Sequence, residues 1–151
     1  MENKLSKRTW LNIIVFSFMG GIAWNTENMY FNTFITNEIY ADVSQNAILG
    51  SMEATTAIAR MVALSAVAAV LTTFIMGALS DKLKNRKLFI SAGYIIWGVV
   101  TSMFGFITKE NIANLFNISD EARILGTTVW FVILMDIVMT FWGSTSNDAA
   151  F

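Results

Sequence analysis

Four long apolar runs, Leu11–Ile35, Met61–Leu79, Leu88–Ile107 and Leu125–Trp142, constrain the fold of this chain more than any other feature. Each run has about 18 to 25 residues, the length that an α-helix needs to cross about 30 Å of hydrocarbon. Charged residues make up only 14% of the chain, whereas a soluble domain carries about 25%. The sequence therefore predicts an all-α membrane protein with four transmembrane helices.

The basic residues predict the orientation of these helices. Three precede the first run and four separate the second from the third: Lys4, Lys7, Arg8, Lys82, Lys84, Arg86 and Lys87. The other two links carry more acidic than basic residues. Because cytoplasmic loops of membrane proteins are enriched in Lys and Arg, we expect the N-terminus and the link after Leu79 to lie in the cytoplasm, in a protein of the cell membrane.

The predicted segments follow from these two patterns. They are a cytoplasmic tail (1–10), the first transmembrane helix (11–35), an extracytoplasmic link (36–60), the second helix (61–79), a cytoplasmic loop (80–87), the third helix (88–107), an extracytoplasmic link (108–123) and the fourth helix (124–151). Within the first extracytoplasmic link, Ala47–Arg60 is compatible with an outward extension of the second helix. Ser119 is a candidate N-cap for the fourth helix, followed by first-turn acids.

Composition excludes several classes of function. The chain has no Cys and no His, which removes thiolate chemistry, the commonest general base and the commonest zinc ligands. We therefore expect neither an enzyme nor a protein that holds a metal or cofactor. The formal net charge of −1 gives no argument for binding nucleic acid.

The first predicted helix carries an unusual polar stripe. At 100° per residue, Asn25, Asn28 and Asn32 fall on one narrow face. Intramembrane polar groups need partners or a wet cavity, so these residues either line a cavity that binds a polyol or hold the helix to its neighbours. Glu27 lies off this stripe, among aromatic residues that favour its neutral form by desolvation. It is a candidate for proton coupling, with pairing to another helix as the alternative.

Acidic and hydroxyl residues mark the other helices. Asp136 lies near the middle of the fourth apolar run and is a candidate substrate-binding residue. Ser65, Thr72 and Thr73 in the second helix are residue types that often bond back to their own helix. Four of the tryptophans are candidates either for an interfacial belt or for cavity walls: Trp10, Trp97, Trp130 and Trp142.

The loop after the second helix carries a recognisable motif. It reads Gly77-Ala-Leu-Ser-Asp81-Lys82-Leu-Lys-Asn-Arg86-Lys87 and resembles the cytoplasmic signature of the major facilitator superfamily. An Asp beside basic residues at helix ends can clamp neighbouring helices in one state and release them in another. The resemblance implies that Gly77, Asp81, Lys82, Arg86 and Lys87 govern conformational exchange.

Two further stretches resemble the glycoside–pentoside–hexuronide cation symporters, the relatives of melibiose permease. Phe141–Phe151 is similar to their fourth helix, and Ala23–Tyr30 is similar to the first helix of the sucrose-type carriers. The resemblance implies that Asp148, with Asn147 beside it, contributes to sugar binding. In melibiose permease a pair of acids on the second helix contributes to the sodium site, whereas the matching stretch here, Ala69–Gly77, has Thr72 and Thr73 and no carboxylate. Proton coupling through Glu27 is therefore expected in preference to sodium coupling.

Members of this family have about twelve helices in two halves, with the substrate between the halves. The four predicted helices correspond to helices 1–4, so we expect the chain to be an N-terminal fragment of a sugar or glycoside symporter, inactive alone. Its expected partners are the sugar, a coupling cation (H⁺ or Na⁺), membrane lipid and the remaining C-terminal helices. The alternative is a complete small four-helix membrane protein that acts as an interaction partner or a dimeric exporter.

Overall fold

The computed structural model describes residues 6–83 and 86–148, apart from the side chains of Phe16, Ser80, Asp81, Leu83, Arg86, Asn147 and Asp148. Within that part of the chain the structure is all-helical and contains no strand. The chain forms two compact units, one ending at Phe34 and the other beginning at Ile35. The first unit contains one long helix, α1 (Lys7–Phe34), and the second contains all the other elements.

The described residues of the second unit form five α-helices and two short turns of other helical types. Its α-helices are α2 (Gln45–Gly50), α3 (Ala54–Leu83), α4 (Arg86–Met103), α5 (Lys109–Phe116) and α6 (Glu121–Asp148). One π-helical turn covers Ile35–Ile39, and one 3₁₀ turn covers Phe104–Phe106. Asn117 adopts the left-handed conformation with φ of 55° and ends α5.

Three helical stretches of the described chain are long and apolar enough to cross a membrane: Gln45–Leu79, Lys87–Phe106 and Glu121–Ser146. The chain is thus consistent with a multi-pass membrane protein. With 28 residues, α1 is also long enough to cross, but Asn25, Glu27, Asn28 and Asn32 lower its hydropathy. The first of the four predicted transmembrane helices is therefore not among these three, and its crossing stays a prediction.

Helix α6 lies at the centre of the second unit, where it packs against α2, α3, α4 and α5. It approaches α4 closely at Gly93. A Cβ built on Gly93 would lie 2.8 Å from the Cβ of Ser146 and 3.1 Å from the carbonyl oxygen of Trp142. Small residues let two transmembrane helices approach this closely, and the contact between their backbones replaces the hydrophobic driving force that lipid cannot supply.

Residues 35–53 are fixed to the rest of the second unit by side-chain hydrogen bonds. Ser44 donates from its hydroxyl to Oε2 of Glu121 at 2.7 Å and from its backbone N–H to Oε1 at 3.1 Å. The Tyr40 hydroxyl donates to the Met52 carbonyl at 2.5 Å, and Lys109 donates to the Ala41 carbonyl at 2.5 Å. Burial raises the pKa of Tyr40, so its hydroxyl keeps the proton that it donates.

The helix ends differ from the predicted segments because helices continue through the links. The second transmembrane helix extends to Ala54–Leu83, so most of 80–87 is helical and α4 already begins at Arg86. The link 36–60 contains α2, and the link 108–123 contains α5. Asp120 rather than Ser119 caps α6: its Oδ2 accepts from the backbone N–H of Arg123 at 3.0 Å, and the helix begins at Glu121.

Candidate functional site

Asp136 is the candidate residue that the structure places most clearly at a helix interface. It lies near the middle of α6 with only 5% of its surface exposed, and it accepts a hydrogen bond from the Ser65 hydroxyl of α3. A carboxyl group within a membrane span is costly unless it is partnered by another helix or by water. The partner that the structure provides is a neutral hydroxyl on the neighbouring helix.

Four threonines of α3 and α6 bond to their own helices. Thr128 donates to the Ile124 carbonyl at 2.7 Å, and Thr145 donates to the Phe141 carbonyl at 2.7 Å. On α3, Thr72 and Thr73 likewise donate to the carbonyls four residues earlier, at 2.7 and 3.0 Å. This is the local bonding expected for those two threonines. Ser65 is the exception, because its hydroxyl crosses to α6.

Sequence reasoning therefore missed Ser65 as a member of the site. Its residue type pointed only to local bonding, and nothing in the apolar pattern of α3 marks it. The available signal was Asp136 itself, since an intramembrane carboxyl predicts a polar group on a neighbouring helix. Which of Ser65, Thr72 and Thr73 would be that group depends on how the two helices are rotated against each other.

On α1, the three asparagines are exposed, and two of them bond to their own helix. Asn25 donates from Nδ2 to the Gly21 carbonyl, and Asn28 donates to the Trp24 carbonyl, both at 2.8 Å. Each of these bonds uses one hydrogen of the side-chain amide, and the amide oxygen takes no part in it. Asn32 lies on the same exposed face. That the stripe lines a cavity stays a prediction, as does the alternative that it holds neighbouring helices.

Glu27 occupies a different environment on α1. Its side chain is half-buried, like that of Trp24, while Phe31 and Phe34 are buried. Tyr30 adds two ring contacts, edge-on to Phe31 at 6.0 Å and stacked on Phe34 at 6.1 Å between ring centroids. Glu27 is thus a half-buried carboxyl on the helix that carries these rings, and its role in proton coupling stays a prediction.

The signature residues lie at the facing ends of α3 and α4. Lys82 is exposed in the last turn of α3, where a cation interacts favourably with the helix dipole, and Lys87 is exposed at the start of α4. Gly77 lies within α3, and a Cβ built on it would meet nothing within 4 Å. The side chains of Asp81 and Arg86 lie outside the described residues.

Asn147 and Asp148 form the end of α6, and their side chains also lie outside the described residues. The two residues just before them, Thr145 and Ser146, are fully buried and bond to carbonyls of α6. The predicted sugar-binding end of α6 and the buried Asp136 are therefore on one continuous helix, about 18 Å apart along its axis at 1.5 Å per residue.

Among residues 6–83 and 86–148, no group of three or more acidic residues is placed to hold a metal ion. Comparisons with models of protein families, with curated proteins and with solved structures found no match to this chain.

Proposed function

We propose that the chain is the N-terminal part of a secondary active transporter of the cell membrane, a cation-coupled symporter for a sugar or glycoside. The observation that carries the proposal is Asp136, a carboxyl group buried within a membrane span between α3 and α6. Ionisable residues inside transmembrane helices are rare and expensive, and they typically mark substrate or ion pathways. A carboxylate partnered by a single hydroxyl keeps capacity to accept further hydrogen bonds from a polyol.

The membrane location rests on the three helical stretches that are long and apolar enough to span. We propose that α1 is the fourth span, because its 28 residues exceed the length required and its polar residues are concentrated on the Asn stripe and at Glu27. A helix with one polar face is tolerated in a membrane when that face lines a cavity rather than lipid. The distribution of Lys and Arg supports a cytoplasmic N-terminus.

The choice of transporter class rests on the sequence motifs. The Gly77–Lys87 stretch resembles the major facilitator signature, and Phe141–Phe151 resembles the fourth helix of the glycoside–pentoside–hexuronide symporters. In the proposed mechanism, two halves of the full transporter alternate in access to the two sides of the membrane around a central substrate site. Asn25, Asn28, Asn32, Asp136, Asn147 and Asp148 contribute to that site.

Coupling in this proposal involves a proton and Glu27. A carboxyl group among aromatic rings favours its neutral form, so it can load and release a proton as its surroundings become drier or wetter. Asp148 follows Asn147 near the end of the fourth predicted helix, and an ionised carboxylate there would accept strong hydrogen bonds from sugar hydroxyls. The two acids thus take separate roles.

A first experiment tests whether the chain is part of a longer protein. An epitope tag placed at the N-terminus, with the gene at its own locus, is expected to detect a product several times larger than 16.8 kDa. The purified product is expected to catalyse sugar counterflow in proteoliposomes. A stable tagged product of 16.8 kDa, with no counterflow, would instead support the complete small four-helix membrane protein.

A second experiment tests the observation on Asp136 directly. Neutralising a buried carboxyl that has no role should be harmless or stabilising, because it removes an expensive charge from the membrane. We expect Asp136→Asn to be well folded and at least about 10-fold slower in counterflow, which corresponds to about 1.4 kcal/mol. Thr73→Val on the exposed side of α3 is the matched control and should be unchanged. Full activity of Asp136→Asn would contradict the proposal.

A further inference from the structure

The second unit contains an open surface cavity that Asp136 does not line. It lies between the end of α2, with the two residues after it, and the first three turns of α6. Its volume is about 810 Å³, within the range of about 300 to 1,000 Å³ typical of small-molecule sites. All of its lining residues belong to the second unit.

The wall of the cavity is fixed by close packing of α2 on α6. A Cβ built on Gly50 would lie 3.0 Å from the Cβ of Ala122, and one on Gly126 would lie 3.7 Å from the Cβ of Ser51. The two hydrogen bonds from Ser44 to Glu121 hold the start of α2 against the start of α6. Because both ends of α2 are anchored, the cavity is formed before any ligand arrives, and little ordering is required on binding.

The lining combines one large aromatic ring with hydroxyl groups. Trp130 contributes a half-exposed indole, with the Arg60 guanidinium 6.0 Å from its ring centroid. Thr127 and Ser51 contribute hydroxyl groups. The Ser51 hydroxyl is the one buried side-chain polar atom in the described part of the chain that has no hydrogen-bond partner. Rotation about χ1 moves such a hydroxyl between staggered positions and allows it to pair with a ligand.

Charged groups of both signs are present at the cavity. Asp120 and Arg123 line it, and a second base, Arg60, lies over the ring of Trp130. A strongly anionic or cationic ligand gains from the groups of one sign and is opposed by those of the other, whereas a neutral ligand can accept from Arg123 and donate to Asp120. The lining therefore favours a neutral molecule with several hydroxyl groups and an apolar face that can lie on Trp130.

We propose that this cavity is a docking site for a neutral carbohydrate of one or two rings, separate from the site that contains Asp136. The proposal rests on the proposed function, which supplies the sugar, and it adds an extracytoplasmic site where the sugar binds first. The indole of Trp130 packs against the C–H face of a sugar ring. Ser51, Thr127, Asp120 and Arg123 pair with its hydroxyl groups.

Saturation-transfer NMR on the whole chain in phosphatidylcholine nanodiscs, prepared free of glycoside detergents, tests the proposal. The probes are sucrose, methyl β-glucoside and methyl α-galactoside, with inorganic phosphate as the anionic competitor. We expect saturation transfer from the protein to at least one of these sugars. The transfer should fall about 10-fold or more in Trp130→Leu and about 3- to 10-fold in Ser51→Ala. Trp130→Phe, which keeps an aromatic ring, should recover part of the signal that Trp130→Leu loses. Trp142→Leu, twelve residues along α6, is the matched control and should keep the signal.

The outcomes separate this site from the proposed function. The docking site is supported if saturation transfer to the sugar is lost in Trp130→Leu and kept in Asp136→Asn. Transfer that is lost in Asp136→Asn and kept in Trp130→Leu overturns it, while leaving the transporter proposal intact. Competition by phosphate that depends on Arg123 would show an anion site and also overturn it. Absence of transfer from all three sugars overturns the docking site, whereas the transporter proposal is decided separately by counterflow.

Discussion

The contact between α4 and α6 at Gly93 gives a quantitative prediction. In Gly93→Ala the new Cβ would lie 2.8 Å from the Ser146 Cβ, 3.1 Å from the Trp142 carbonyl oxygen and 3.2 Å from the Ser146 backbone nitrogen. Two of these three atoms belong to the backbone, so the clash is relieved only if one helix moves away from the other. Overpacking of this kind costs about 1–3 kcal/mol.

Gly98 provides the matched control on the same helix. A Cβ built there meets nothing within 4 Å, so Gly98→Ala gains the helix preference of Ala over Gly, about 1 kcal/mol, without a clash. That preference is common to both variants and cancels in the comparison. Gly93→Ala should therefore have a free energy of unfolding about 1–3 kcal/mol lower than that of Gly98→Ala.

Unfolding by SDS in mixed micelles, followed by far-UV circular dichroism, measures this difference. Trp97, which is buried on α4, and Trp142 on α6 provide a second signal by fluorescence. Adding Ser146→Gly to Gly93→Ala removes the 2.8 Å contact and leaves the two backbone contacts, so it should restore only part of the lost stability. If Gly93→Ala and Gly98→Ala agree within about 0.5 kcal/mol, the close approach of α4 and α6 is wrong.

Three further predictions concern orientation, conformational exchange and coupling. Reporter fusions after residue 84 should be cytoplasmic and those after residue 114 extracytoplasmic; the opposite pattern refutes the orientation. In the full-length transporter, Asp81→Asn should preserve sugar binding and slow transport, and an unchanged transport rate at normal expression excludes this role for the loop. Glu27→Gln should keep binding and exchange but abolish accumulation against a gradient, whereas Asp148→Asn should weaken binding about 10- to 150-fold. Sugar-binding and counterflow assays on the two variants test these two roles. If Asp148→Asn binds sugar normally and Glu27→Gln does not, the roles of the two acids are reversed.

The sequence by itself determined the helical class and most of the chain's division into helices. Hydropathy is a property of each segment alone, because an apolar helix is stable in lipid whichever helices lie beside it. The runs beginning at Met61 and Leu125 therefore lie within α3 and α6, and the run beginning at Leu88 covers most of α4 and the 3₁₀ turn after it. The same local physics explains why Thr72 and Thr73 bond to their own helix as expected.

Helix ends were harder to predict, because polar residues at the membrane surface can extend a helix or interrupt it at similar cost. Asp120 and Ser119 are both good N-cap residues, and the sequence favoured the wrong one of the two. The start of the short α2 is held by a bond to a distant residue, the one between Ser44 and Glu121. No local pattern contains that information.

Only the tertiary structure decided which residues meet across helices. Ser65 and Asp136 are 71 positions apart, and their hydrogen bond depends on the rotation of α3 and α6 about their axes. The approach of Gly93 to Ser146 and the cavity beside Trp130 depend on the same kind of choice. Side-chain periodicity fixes which residues share a face of one helix, but the pairing of faces is set by how all the helices of the unit pack together.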